Sequence, residues 1–133
     1  MAPKVRKPKP FALTPPEPLE SQIQKQIGDY LNWDRRVAFW WRANVGAGQF
    51  VNADGSLTRY LEFNFEGITD ICGFLIGGAA FFCEVKRPSV KKARPAQEAF
   101  MAKAKAAGCV VLIARGYEDV KRAIDAHFAK VAP

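Results

Sequence analysis

Apolar positions recur along this chain with two different periods, and the switches between them mark its elements. Ile23, Ile27, Tyr30 and Leu31 fall at helical spacing and predict a helix beginning near Leu19. Val37 to Val45 is β-branched and aromatic and predicts a strand. Three glycines and the run Asn52-Ala-Asp-Gly mark 46–55 as a loop or hairpin tip, with Leu57 to Phe65 as the hairpin's short second arm. Two short apolar strands follow, Gly67 to Leu75 and Ala79 to Lys86, joined by a tight Gly77-Gly78 turn. Pro95 suits the first turn of the next helix and Gly108 its C-terminal cap, with Ala99, Phe100, Ala104 and Ala107 on one side. Cys109 to Ala114 is an uninterrupted apolar run, as expected of a strand covered on both faces. Tyr117 to Val131 is a last amphipathic helix with Val120, Ile124, Phe128 and Val131 inward. The order α-β-β-β-α-β-α predicts an α/β fold, a mixed central sheet flanked by helices.

The 133 residues suffice for one domain and hardly for two. Residues 1–18 hold six prolines and the basic Lys4, Arg6, Lys7 and Lys9, so they predict an extended, flexible arm ahead of a single domain over 19–133. That arm is either a solvated tail or a basic strap for a nucleic-acid backbone. Twenty Lys and Arg against thirteen Asp and Glu give a net charge of +7. This balance favours a polyanionic partner, nucleic acid or an acidic membrane surface. No run is long enough to span a bilayer and no signal-peptide core opens the chain, so a soluble, intracellular protein is expected. Cys72, Cys83 and Cys109 lack CxxC spacing and read as reduced, structural thiols. A single histidine, His127, excludes the usual zinc set and any Ser/His/Asp or Cys/His arrangement. No glycine-rich phosphate loop is present.

The chemistry concentrates on the two strands around the glycine turn. Alternation puts Glu84 and Lys86 on one face and Val85 in the core, and the hairpin brings Asp70 close to that face. Two carboxylates can hold Mg²⁺ or Mn²⁺, with the Val85 carbonyl as a further oxygen ligand. Lys86 would stabilise the phosphate under attack or orient the attacking water. Taken alone, Glu84 and Lys86 are an ordinary exposed pair at a strand end. Gln97, in the first turn of the second helix, is within reach of this group, although alone it is an ordinary helix residue. Glu20 suits the dipole of a helix start and gains interest only as a third carboxylate, acting directly or through water. Arg87, Lys91, Lys92 and Arg94 crowd the loop beyond Lys86 and suit phosphate contacts, and Arg42 and Asn44 on the first strand are expected to reach the same face. Of Trp40 and Trp41 one must face in; the other stacks on a base or lies in a subunit contact, the reading preferred here.

With these residues in place, the chain resembles the VRR-NUC (virus-type replication-repair nuclease) family of the PD-(D/E)XK superfamily. The likeness runs from about Glu20 to Asp119 through an ordered set of pieces: Glu20, Arg42-Ala-Asn-Val-Gly46, Gly67-Ile-Thr-Asp70, Glu84-Val-Lys86-Arg-Pro88, Gln97 and Gly108. Thr69 stands where that superfamily often has proline, at a position that supplies no ligand. The resemblance implies a restriction-endonuclease-like core and a metal-dependent DNA endonuclease. Asp70 and Glu84 would bind the metal, Lys86 would assist the attacking water, and Glu20 and Gln97 would complete the site. It also implies a homodimer acting on branched DNA such as four-way junctions, in replication, repair or recombination, and the family's name points to a phage or prophage. A catalytically silent module that recognises branched DNA is the alternative; a basic protein serving RNA or a membrane surface is a third.

Overall fold

The computed structural model describes residues 16–43, 46–48, 51–58, 61–63 and 65–132, with backbone alone for 46–48 and 61–63. The first helix, α1 (Glu20–Trp33), follows the apolar spacing: Ile23, Ile27 and Leu31 are buried along one stripe. Its start is capped by the Gln22 side chain, which accepts the Leu19 N–H at 2.9 Å. The chain continues through β1 (Val37–Arg42), β2 (Gly46–Gly48), β3 (Leu61–Phe63), β4 (Ile71–Leu75) and β5 (Ala80–Val85) to α2 (Pro95–Ala106), β6 (Val110–Ala114) and α3 (Tyr117–Val131). Four strands form the main sheet in the order β1-β4-β5-β6. β4 pairs antiparallel with β1 and β5, and β6 runs parallel to β5. The result is a mixed α/β fold in the expected order, with β2 and β3 as a separate two-stranded ribbon.

That ribbon corrects one expectation. The second arm of the hairpin pairs with Gly46–Gly48 and leaves β1 to pair with β4. At the ribbon's tip Val51 and Leu57 form a bridge and are 71% and 60% exposed, so this stretch offers nothing to the core that would hold it against β1. The Val37 and Trp40 side chains, by contrast, pack on the core.

Alternation along the strands builds two faces. Ile71, Leu75, Phe81, Cys83 and Val85 pack with α1 and α3, through Ile23, Ile27, Leu31, Val120 and Ile124. Each such aliphatic or aromatic side chain contributes about 1.5–3 kcal/mol relative to its exposed state. Trp40 is the inward tryptophan: it lies so close over Gly28 that a Cβ there would sit 2.8 Å from the ring, and its indole N–H donates to Asn32 at 2.8 Å. The opposite face carries Phe82, which meets Phe100 of α2 edge-on at 5.0 Å. On α2 the buried positions are Gln97, Met101 and Ala104; Ala99 lies off this stripe of four- and three-residue steps, and Ala107 is the C-cap past the last turn, so both are exposed. α2 ends as expected at Gly108, with φ of 91°, through two reverse bonds: Gly108 N–H to Lys105 and Cys109 N–H to Ala104. β6 lies between α2 and α3 but at the sheet edge, so it is half-buried rather than covered. Val131, expected inward, is 60% exposed at the end of α3. Cys72 and Cys83 are free, buried thiols, and burial raises the pKa of both.

A polar cluster locks the turn between α1 and β1. Asp34 is buried and accepts from Tyr30 Oη at 2.7 Å, Arg36 N–H at 2.9 Å and Arg36 Nη2 at 2.9 Å. Arg36 reaches on to Asp125 of α3 at 2.7 Å. The Arg36 hydrogen bonds hold the Asp34 pKa down at about 2, against an ordinary 3.8. A depressed folded pKa contributes stability above the unfolded value, and that stability is lost as pH falls through the folded one. Asp34→Asn should therefore cost about 2 kcal/mol at neutral pH and flatten the stability curve between about pH 4 and 2. Denaturant melts across that window measure both.

Candidate functional site

Asp70 is placed by the sheet. It precedes β4, and its carbonyl accepts the Ala43 N–H at 2.9 Å, which extends the β1–β4 ladder beyond Arg42. Thr69 ahead of it is fully buried, and its hydroxyl donates to the Ile71 carbonyl at 3.1 Å. The Asp70 carboxylate then accepts the Val85 N–H at 2.9 Å, so a side chain satisfies a backbone donor at the end of β5. In an extended strand a residue's N–H and C=O share one edge, so the Val85 carbonyl faces the Asp70 side too.

Glu84 lies beside this pair and is 1% exposed. Lys86 Nζ is 3.5 Å from Glu84 Oε1, with 12% of the lysine side chain exposed. The other oxygen, Oε2, is buried without a hydrogen-bond partner. Burial first, and then the Asp70 carboxylate, push the Glu84 pKa up to about 8, with Lys86 opposing. At neutral pH Glu84 is therefore largely protonated in the free protein, and a cation would have to take that proton's place beside the orphaned oxygen. Among the described residues no three His, Cys, Asp or Glu converge to hold a metal. The oxygen donors that could hold an ion here are Asp70, Glu84 and the Val85 carbonyl, a set whose chemistry would suit a hard ion such as Mg²⁺ or Mn²⁺.

The raised pKa has a measurable consequence. A carboxyl whose folded pKa exceeds its unfolded value contributes fully below the unfolded value and costs stability as pH rises towards the folded one. The metal-free protein should therefore lose stability from this group as pH rises from 4.5 towards 8. Glu84→Gln should abolish that loss, which melts in EDTA across the range would reveal.

The other anticipated residues divide. Glu20 sits in the first turn of α1 and joins no three-carboxylate group. Gln97 is 3% exposed, but its amide oxygen accepts the Arg94 N–H at 3.2 Å, so it caps α2. Arg42 lies over α1, donating to Gln24, on the face opposite Glu84, because it shares its side of β1 with Trp40. Asn44 lies outside the described residues. Arg87 pairs with Glu17 at 3.1 Å. Lys91, Lys92 and Arg94 are exposed on the loop, whose path is braced by Arg115 donating to the Val90 carbonyl at 2.9 Å. Trp41 faces out, stacked on Phe39 at 6.0 Å and tilted against Phe74 at 6.2 Å.

Glu17, Ser89 and Arg115 were missed. Arg115 carries no local signal, whereas Glu17 does: it is the single acid among residues 1–18. The concavity lined by Tyr30, Trp33, Asp34, Arg36, Lys121 and Asp125 is no rival site. Its carboxylates are already paired with Arg36 and Lys121. No protein-family model matches the chain, and no curated protein does.

Proposed function

We propose that this chain is a Mg²⁺- or Mn²⁺-dependent endonuclease of the VRR-NUC type, hydrolysing phosphodiester bonds in branched DNA such as four-way junctions. The observation that carries this reading is the buried Glu84 carboxylate, with one oxygen orphaned, held between Asp70 and Lys86 on adjoining strands. Structural ion pairs rarely bury two acids against one base, since each uncompensated charge is costly. Sites that perform chemistry do so.

Asp70, Glu84 and the Val85 carbonyl would hold the ion. When bound, it would polarise the phosphodiester and ease deprotonation of the attacking water. Lys86 lies 3.5 Å from Glu84 and would present its ammonium to negative charge developing on the phosphate. Lys91, Lys92 and Arg94 would take flanking phosphates, which position a strand without reading its sequence. Gln97 acts as a positioning residue, setting the start of α2 beside the site. Glu20 would act only through water.

Phe39 and Trp41, exposed on the edge strand against a half-buried Phe74 of its neighbour, form an aromatic surface that a second copy of the chain would cover. A homodimer would present two sites to two strands of a junction; a monomer in light scattering would remove that part. Among the described residues no helix is long and apolar enough to cross a membrane. The reading places the protein inside the cell, in a bacterial cytoplasm if it is of phage origin.

The test is a cleavage assay on labelled four-way junction, flap, single-stranded and duplex DNA with Mg²⁺, Mn²⁺ or EDTA. Metal-dependent cutting with a preference for branched substrates is expected. Tight, salt-sensitive binding without cutting in any metal would instead favour the catalytically silent module.

A further inference from the structure

The segment before α1 is tied to the loop after β5 by one carboxylate. Glu17 Oε1 accepts the Ser89 backbone N–H at 2.5 Å, and Oε2 accepts the Ser89 hydroxyl at 2.8 Å. Arg87 Nη2 lies 3.1 Å from the same Oε2. A backbone N–H, a hydroxyl and a guanidinium thus converge on one anion, across 72 residues of chain. These three donor types are the ones that hold phosphate oxygens in protein–DNA contacts. The set is also incompletely used. Arg87 Nε is buried and has no acceptor, although a guanidinium binds phosphate best side-on, through Nε and one terminal nitrogen together.

Position adds to the chemistry. Arg87 follows Lys86, whose ammonium touches Glu84, so the donors begin one residue beyond the candidate catalytic lysine. The Val90 N–H donates to the Arg87 carbonyl at 3.0 Å and closes a turn that presents the Ser89 N–H outward to Glu17. Arg115 braces the same loop from behind through the Val90 carbonyl. The bound carboxylate also comes from the least expected source, a stretch with four Lys and Arg and one acid.

We propose that the Arg87–Ser89 turn is a binding site for a backbone phosphate of the DNA strand, and that Glu17 is its intramolecular stand-in, displaced when DNA binds. This rests on the nuclease reading, and it adds a competitor built into the free protein. Glu17 and the phosphate cannot occupy the donors together. Removing the carboxylate should therefore strengthen DNA binding, whereas a plain structural tether predicts no change or a loss.

Binding is measured by fluorescence anisotropy on the full chain in EDTA, with a labelled four-way junction and fixed salt, so that no cleavage enters the readout. Glu17→Ala should bind about 3–5-fold more tightly than the unaltered protein, the equivalent of one exposed ion pair no longer competing. Adding Arg87→Ala should erase the gain. Asp29→Ala, which removes an exposed acid on α1, controls for net charge and should gain less. Glu17→Gln keeps an acceptor oxygen to hold the segment and should shift binding the same way, by less, which covers any loss of folding in the alanine variant. A junction with neutral methylphosphonate linkages should show no gain. Equal affinity of Glu17→Ala and the unaltered protein, or an equal gain in Asp29→Ala, overturns the proposal while leaving the nuclease reading intact. If the unaltered protein binds no DNA at all, both fall.

Discussion

Asp70→Asn and Lys86→Ala should each reduce metal-dependent cleavage by at least about 10²–10³-fold, the usual cost of removing one preorganised electrostatic group from a reacting centre, here a metal ligand and a cation facing the phosphate. The two substitutions act on different atoms, and the structure separates their side effects. An asparagine at 70 keeps an oxygen to accept the Val85 N–H, now bonded at 2.9 Å, so no buried donor is orphaned. It also removes the negative charge that helps push Glu84 upward. Asp70→Asn should thus melt at or above the temperature of the unaltered protein while losing activity. Asp70→Ala is the poorer variant, because it strands that N–H at a cost of about 1–3 kcal/mol. Lys86→Ala removes the partner of Glu84, 3.5 Å away, yet a carboxyl with its pKa already near 8 is largely protonated at neutral pH and leaves no bare charge behind. Folding should survive. Single-turnover cleavage and a melt on the same preparations check both, and Asp70→Asn cutting at the normal rate would dismiss the assignment.

The largest effect on folding is expected at Gly67. Its φ of +92° is unfavourable for any L side chain, and a Cβ there would lie 2.8 Å from the Ala96 carbonyl carbon in the first turn of α2. Neither group can step aside, because one is helix backbone and the other leads into the buried Thr69. Strain and overpacking together should cost about 3–4 kcal/mol. For a domain of this size that lowers Tm by about 10–15 °C. The same push separates the segment carrying Asp70 from the helix start capped by Gln97, so cleavage should fall with stability. Gly77→Ala is the control: its φ is +91° but nothing lies within 4 Å of its Cβ position, so only the backbone strain remains. If Gly67→Ala melts no lower than Gly77→Ala, the contact with α2 does not constrain the loop.

The proximity of Asp70, Glu84 and Lys86 was legible because its signals are local. The Glu84-x-Lys86 alternation is a property of any extended strand, and both side chains do meet on one face. Asp70 was legible because a two-glycine turn leaves its strand only one way to return. Glu20 and Arg42 were harder. Residue type and spacing do not say what packs against a helix start or an edge strand. Arg42 lies on the α1 side of β1 because it alternates in step with Trp40, and there it donates to Gln24. Gln97 is buried rather than an ordinary exposed helix residue, because its amide oxygen caps its own helix start, a contact that spacing alone does not reveal. Glu17 and Ser89 escaped because 72 residues separate them.

The sequence by itself therefore determined the helices, the strands of the main sheet and the alternation that sets Glu84 beside Lys86. These follow from periodicity, turn residues and caps, which act within a few residues. The tertiary structure decided which strand β1 joins, how far Glu84 is buried and so how far its pKa rises, and which anion the Arg87–Ser89 turn holds. Those depend on desolvation and on contacts between distant segments, and both exist only once the sheet and its three helices have closed.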